Sequence, residues 1–219
     1  MPELTEVIEH TLLRPDCSPD DIRRLCEEST EHGFFGVCVP PYYVRDAKRF
    51  LGDGAATRVC TVISFPMGYS AIVAKSEEVK RAFDDGADEI DAVLNVAAVK
   101  SGNWSYVERD VDAVATTTRL RDGVSKLILE CALLTEEEIR RVVEIARRTG
   151  IHFLKTSTGF LGYPATEAMV QQLKELANGE IKIKAAGGIR TRADAEALLR
   201  AGADRLGTSA SVDIIRATV

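Results

Sequence analysis

The chain repeats one cadence: an amphipathic, helix-like stretch, a glycine, then a short apolar run with the character of a β-strand. Residues 23–33 lead into 35–39, residues 79–86 into 89–94, residues 142–150 into 151–155, and residues 195–202 into 204–207. The phrase Gly-Ala-Asp recurs at Gly86 and Gly202. A glycine just past a helix supplies a left-handed cap and turns the chain back toward a sheet, so these points are helix-to-strand junctions. Helix starts are marked too. Ser18-Pro19 offers an N-cap followed by a proline at the first helical position, and Thr135 with Glu138 forms a capping-box pattern.

Strands are predicted at residues 8–12, 36–39, 58–63, 89–94, 126–130, 152–155, 181–185 and 205–207. Strands alternating with helices build a parallel sheet. Eight such units in this length predict a closed (β/α)₈ TIM barrel, read as one α/β domain over residues 1–219 with a short N-terminal extension.

In such a barrel side chains alternate inward and outward, and chemistry collects where strands end. With Ile90, Ala92 and Leu94 against the helices, Glu89, Asp91 and Val93 turn inward. The same parity turns Lys155, Lys182 and Lys184 inward, with Leu154, Ile181 and Ile183 outward. Two lysines at the exits of consecutive strands beside one acid predict a Schiff-base site, because a cationic neighbour in a desolvated cavity favours a neutral, nucleophilic amine. Lys182, deeper in the barrel, is read as a structural ion pair with Glu89. The remaining lysines are assigned to solvated helix and loop surface.

A phosphate grip is expected from the loops after the last two strands, Gly187-Gly188-Ile189-Arg190 and Gly207-Thr208-Ser209, with hydroxyl donors from Thr156-Ser-Thr-Gly159. Cys38, at the end of the second strand, either lines this pocket or packs as a core thiol. Glu130 is either a partner of a lysine or a loop residue. Trp104 and Tyr106, in a polar segment after Gly102, are read as a loop or a partner contact.

Composition narrows the function classes. At 219 residues, 45% hydrophobic and 28% charged, the chain can bury a core, and a net charge of -6 argues against nucleic-acid and anionic-membrane partners. Five scattered cysteines without C-x-x-C spacing point to a reducing cytoplasm, and the three histidines make no ligand cluster, so no metal and no cofactor is expected. No basic and apolar leader begins the sequence and no apolar run approaches membrane-spanning length, so an unprocessed, soluble protein is expected.

Several motifs in order, Ile8-Glu-His-Thr-Leu12, Val59-Cys-Thr-Val-Ile63 with Phe65-Pro66, Asp88-Glu-Ile-Asp91, Lys100-Ser-Gly102, Leu154-Lys-Thr-Ser-Thr-Gly-Phe160 and Lys184-Ala-Ala-Gly-Gly-Ile-Arg190, resemble the deoxyribose-phosphate aldolases. The resemblance spans the chain. It implies a metal-independent class I aldolase, typically a homodimer, that reversibly cleaves 2-deoxy-D-ribose 5-phosphate to glyceraldehyde 3-phosphate and acetaldehyde. It further implies Lys155 as the Schiff-base lysine, Lys184 as the lysine that tunes it, Asp91 as the proton-relaying acid, and Gly159, Gly187, Gly188, Arg190 and Ser209 as the phosphate loops.

The pattern is not followed everywhere. Leu161-Gly-Tyr-Pro164 stands where many relatives carry glycines, Ser64 where glycine is frequent, and Tyr69-Ser-Ala-Ile72 where a polar stretch is usual. A tyrosine-bearing tail found in longer relatives is not expected to take part. The rival readings are a different lysine aldolase with a ketose donor, and a phosphate-binding barrel without turnover.

Overall fold

The computed structural model describes residues 3–217. Eight strands, β1 (Ile8–Thr11), β2 (Gly36–Val39), β3 (Arg58–Ile63), β4 (Glu89–Val93), β5 (Val124–Ile128), β6 (Phe153–Lys155), β7 (Lys182–Ala186) and β8 (Arg205–Thr208), pair in parallel in chain order, and β8 closes on β1. A single 3-10 turn, Thr5–Val7, precedes the barrel. Outside it run α1 (Pro19–His32), α2 (Val44–Leu51), α3 (Ile72–Asp84), α4 (Val96–Lys100), α5 (Trp104–Arg119), α6 (Glu136–Thr149), α7 (Glu167–Ala177), α8 (Arg192–Arg200) and α9 (Ser211–Arg216). The expected barrel is the observed one.

Local signals account for much of this. Both predicted caps form reciprocal capping boxes, Ser18 with Asp21 and Thr135 with Glu138, and the helices they start end at the left-handed glycines Gly33 and Gly150. Outward strand residues such as Ile90, Leu154, Ile183 and Leu206 are fully buried against the helices. Removing each such side chain from water contributes about 1.5–3 kcal/mol, so sheet-to-helix packing fixes the strand phase.

Two elements differ from expectation. β5 begins at Val124 and stops at Ile128, because Glu130 adopts a left-handed backbone (φ 54°) that cannot continue a ladder. Trp104 opens α5 instead of lying in a loop. Asn103 caps that helix by accepting from the Tyr106 amide at 3.2 Å, and the Arg141 guanidinium covers the Trp104 ring at 4.3 Å. The apolar spacing of Val107, Val111, Val114 and Ala115 behind the Asn cap carries the helical signal.

Candidate active site

Strand register decides which charges meet inside the barrel. Lys155 and Lys184 are Cα partners across β6 and β7, and Asp91 and Lys126 are partners across β4 and β5. Asp91 is fully buried and uses both oxygens. Oδ2 accepts from Lys155 at 2.8 Å and from Lys184 at 2.7 Å, while Oδ1 accepts from Lys126 at 3.0 Å and from the Cys60 thiol at 3.2 Å. Below it, Glu9 accepts from Lys184 and, at 3.0 Å, from Arg205; Glu89 pairs with Lys126 at 2.6 Å and Arg205 at 3.3 Å. Lys184 fits here because β8 is bare at Gly207, where a Cβ would come within 3.1 Å of Lys184 Cε.

The expected trio is therefore part of a larger cluster, in which Lys126, Lys155, Lys184 and Arg205 face Glu9, Glu89 and Asp91. Lys126 corrects the assignment of the remaining lysines to solvated surface: it is 0% exposed. Lys75, on α3, is also buried, paired at 2.6 Å with Asp110 of α5. Lys182 makes no pair with Glu89. It stands exposed at the start of β7 with its ammonium 5.7 Å from the Phe153 ring centre, and Arg205 takes the position expected for it.

Mutual pairing overrides burial. Burial alone pushes the Asp91 carboxyl up, yet Lys126, Lys155 and Lys184 hold it well below the usual carboxylate range. Glu9 behaves likewise: burial raises it, and Lys126 and Lys184 bring it down to about 2. For Lys126 and Lys184 burial favours the neutral amine, but Asp91, with Glu9, outweighs it and raises both above the ordinary lysine value. These two are fixed ammonium charges.

Above the cluster the barrel opens into a cavity of about 360 Å³. Its floor holds Lys155, and its walls come from the loops after β6 (Thr158, Gly159, Phe160) and β7 (Gly187, Gly188, Arg190) and from the end of β8 (Gly207, Thr208) with Ser209 just beyond it. Thus Lys155, Gly159, Gly187, Gly188, Arg190 and Ser209 are brought together. Asp91 and Lys184 lie directly beneath. The end of β1 and the chain after it add Thr11, Leu13 and Arg14, which sequence reasoning missed; Arg14 brings a second guanidinium to this mouth, paired with Asp16 at 2.8 Å and Asp21 at 2.7 Å.

Two expected residues sit elsewhere. The Thr156 hydroxyl is buried between strands, donating to the Ala186 carbonyl at 3.0 Å and accepting from its amide at 3.1 Å, so it ties β6 to β7 and is spent as a ligand. Cys38 is 0% exposed and packs with Cys60, Val62 and Leu13 inside the barrel, outside the walls of the Lys155 cavity. The Cys60 thiol beside it lowers the Cys38 thiol below its ordinary value. Glu130 bonds no lysine. Its Oε2 accepts from the Thr158 amide at 3.0 Å and hydroxyl at 2.5 Å, and this anchors the loop that carries Gly159.

Among the described residues the one group with metal-ligand spacing is Glu9, Cys38, Cys60 and Asp91, whose ligand atoms lie within 4.8 Å of one another. Both carboxylates are already paired with Lys126 and Lys184, so a metal there would have to displace a buried ammonium.

A closed parallel barrel with a paired lysine on the floor of a glycine-walled cavity defines an aldolase-type (β/α)₈ barrel. The chain belongs to the DeoC/LacD family aldolases, matching that family over residues 9–214. It is 45% identical over 212 residues to deoxyribose-phosphate aldolase 1 of Cutibacterium acnes, covering 97% of this chain and 96% of that protein. Deoxyribose-phosphate aldolase of Thermococcus gammatolerans is 41% identical over 214 residues, with 97% and 95% covered. Among solved structures, one described as "QR15, an Aldolase" superposes with a TM-score of 0.92 at 38% identity, over 98% of this chain and 95% of that one. No helix among the described residues is long and apolar enough to cross a membrane.

Proposed function

We propose that this protein is a class I aldolase that reversibly cleaves 2-deoxy-D-ribose 5-phosphate to D-glyceraldehyde 3-phosphate and acetaldehyde through a Schiff base on Lys155. The observation that carries this reading is selective access. Of the three lysines inside the barrel, Lys126 and Lys184 have fully buried side chains, whereas Lys155 alone lines the cavity. The names of the relatives support the substrate, and Arg14 and Arg190 with the glycine loops suit its phosphate.

With every interior group ionised the cluster carries one surplus positive charge, and loss of one proton leaves it neutral. Lys155 is the interior lysine that lines the cavity, so it is the amine the sugar reaches. The neutral amine attacks C1 of the open-chain sugar, and the carbinolamine loses water to give a protonated imine. The C3 hydroxyl then loses its proton, and the C2–C3 bonding pair moves toward the imine nitrogen, releasing glyceraldehyde 3-phosphate. The enamine left behind is protonated at C2, and water hydrolyses the iminium to acetaldehyde and free Lys155.

Electrostatics refine one role. Asp91, bonded through one oxygen to both Lys155 and Lys184, orients the Lys155 amine and fixes the charge around it. The experiment is a cleavage assay on 2-deoxy-D-ribose 5-phosphate and on free deoxyribose, with Arg190→Ala and Ser209→Asp. Cleavage of the phosphorylated sugar, with KM raised more for it than for the free sugar in both variants, is expected. No cleavage, or equal effects on the two sugars, would overturn the assignment.

A further inference from the structure

Beside the Lys155 cavity the barrel mouth holds a second cavity of about 490 Å³, bounded by the chain after β2 (Pro40, Pro41) and by Phe65, Pro66, Met67 and Tyr69 after β3. Leu13 and Phe160 line both cavities and form the wall between them. Phe160 is held on the far side by an edge-on contact with Phe65, ring centres 5.0 Å apart at 87°. The floor is Val62, an inward residue of β3 in the same small apolar cluster as Cys38 and Cys60. The two cavities thus adjoin at the barrel mouth, with Leu13 and Phe160 shared between them.

The two halves differ in charge. The Lys155 half carries Arg14 and Arg190. The lining of the second half has one charged residue, Glu78, whose Oε2 accepts from the Ser64 amide at 2.6 Å. An acidic group with apolar walls repels a phosphate and suits a neutral carbon chain. Phe160 and Met67 are each 47% exposed and Tyr69 is 68% exposed at the rim, so substantial apolar surface awaits cover. Ser64 and Tyr69, positions where the sequence leaves the pattern it otherwise resembles, line this same half.

We propose that this cavity is a second acceptor subsite, taking the alkyl chain of a neutral, unphosphorylated aldehyde, and that Phe160 with Leu13 decides which half of the mouth an acceptor's tail enters. The inference rests on the Lys155 Schiff-base reading. In the condensation direction the enamine carbon on Lys155 bonds to the acceptor's carbonyl carbon, and the carbonyl π pair moves to its oxygen, which takes a proton. Water then hydrolyses the iminium, freeing the hydroxyaldehyde and the lysine.

The test compares kcat/KM for addition of acetaldehyde to hexanal and to glyceraldehyde 3-phosphate in the wild type, Ser70→Trp and Phe160→Ala. Ser70 lines only the apolar half, so a tryptophan there fills it; Met67→Trp serves the same purpose should Ser70→Trp fail to fold. Filling the cavity is expected to lower the hexanal value by about tenfold or more while the glyceraldehyde 3-phosphate value stays within about twofold. Phe160→Ala is expected to raise the hexanal-to-glyceraldehyde 3-phosphate ratio by about fivefold.

The proposal is overturned if a wild type active on glyceraldehyde 3-phosphate ignores hexanal, or if the ratio is unmoved in the folded variants. It is overturned equally if the filled variant changes the association state, since a second copy would then be the occupant. Failure of the underlying reading looks different: neither acceptor reacts, and hydride reduction with acetaldehyde leaves Lys155 unmodified.

Discussion

Lys126 and Asp91 stand opposite one another on β5 and β4, and the ammonium of one lies 3.0 Å from the Oδ1 carboxylate oxygen of the other, both wholly buried. Lys126 thus occupies one Asp91 oxygen and leaves the other to Lys155 and Lys184. It also supplies the positive charge that makes the interior cluster cationic when fully protonated. Replacing it by methionine removes that surplus, so the cluster is then neutral only when every group in it is ionised.

For Lys126→Met the rising limb of kcat/KM against pH should move upward by about one unit or more, since one unit corresponds to about 1.4 kcal/mol of charge interaction. Activity at pH 7 falls by roughly tenfold or more and recovers in part at higher pH. Lys126→Arg, which keeps the charge, should retain the wild-type profile. A purely structural role would lower the rate at every pH without moving the limb.

The Glu130 carboxylate sets the loop that carries Gly159. Glu130→Ala leaves the buried Thr158 amide without its acceptor, at a cost of about 1–3 kcal/mol, and frees the loop to move. KM for the phosphorylated sugar should rise several-fold with a smaller change in kcat, and Glu130→Gln, which keeps an acceptor, should lie between the two. Steady-state kinetics on the three proteins decide it.

Away from the mouth, the Lys75–Asp110 pair is buried between α3 and α5, and Lys75 also donates to the Val93 carbonyl at 2.9 Å. Burial pushes Lys75 down and Asp110 up, and in both it outweighs the attraction between them. Breaking the pair with Lys75→Met should cost about 3–5 kcal/mol, whereas Lys75→Met with Asp110→Leu together should recover most of that loss. Urea unfolding measures both. A double variant no more stable than the single one would contradict the desolvation account.

Acid should unfold the protein through the interior cluster. The Glu9 carboxyl falls from its ordinary 4.5 to about 2, and Asp91 lies well below its own ordinary value. A depressed carboxyl contributes stability that is complete above its unfolded value and disappears as pH falls through the folded one. For Glu9 that window runs from about pH 4.5 to about pH 2. Asp110 is raised and acts in the opposite sense, its contribution growing as pH falls. Tm should drop steeply through the Glu9 window in the wild type and less steeply in Glu9→Gln, which starts lower at neutral pH.

The barrel could be read from the sequence because the helix caps, the glycine junctions and the apolar parity of the strands all agree. Parity also placed Asp91, Lys155 and Lys184 inside. The same parity in β1 and β5 turns Glu9, between Ile8 and His10, and Lys126, between Ser125 and Leu127 with Leu129 beyond, inward as well. Thr156 misled because a hydroxyl looks identical in sequence whether it faces a ligand or bridges two strands. The contacts of Glu130 with Thr158 and of Phe160 with Phe65 join separate loops, and no local pattern encodes such pairings.

The central claim is that Lys155 alone among the interior lysines forms the covalent intermediate. Reduction with borohydride in the presence of acetaldehyde, followed by peptide mass spectrometry, reads this directly. The predicted result is an ethyl group on Lys155, lost in Lys155→Leu, with Lys126 and Lys184 unmodified. An adduct on Lys126 or Lys184, or none on any of the three, would contradict it.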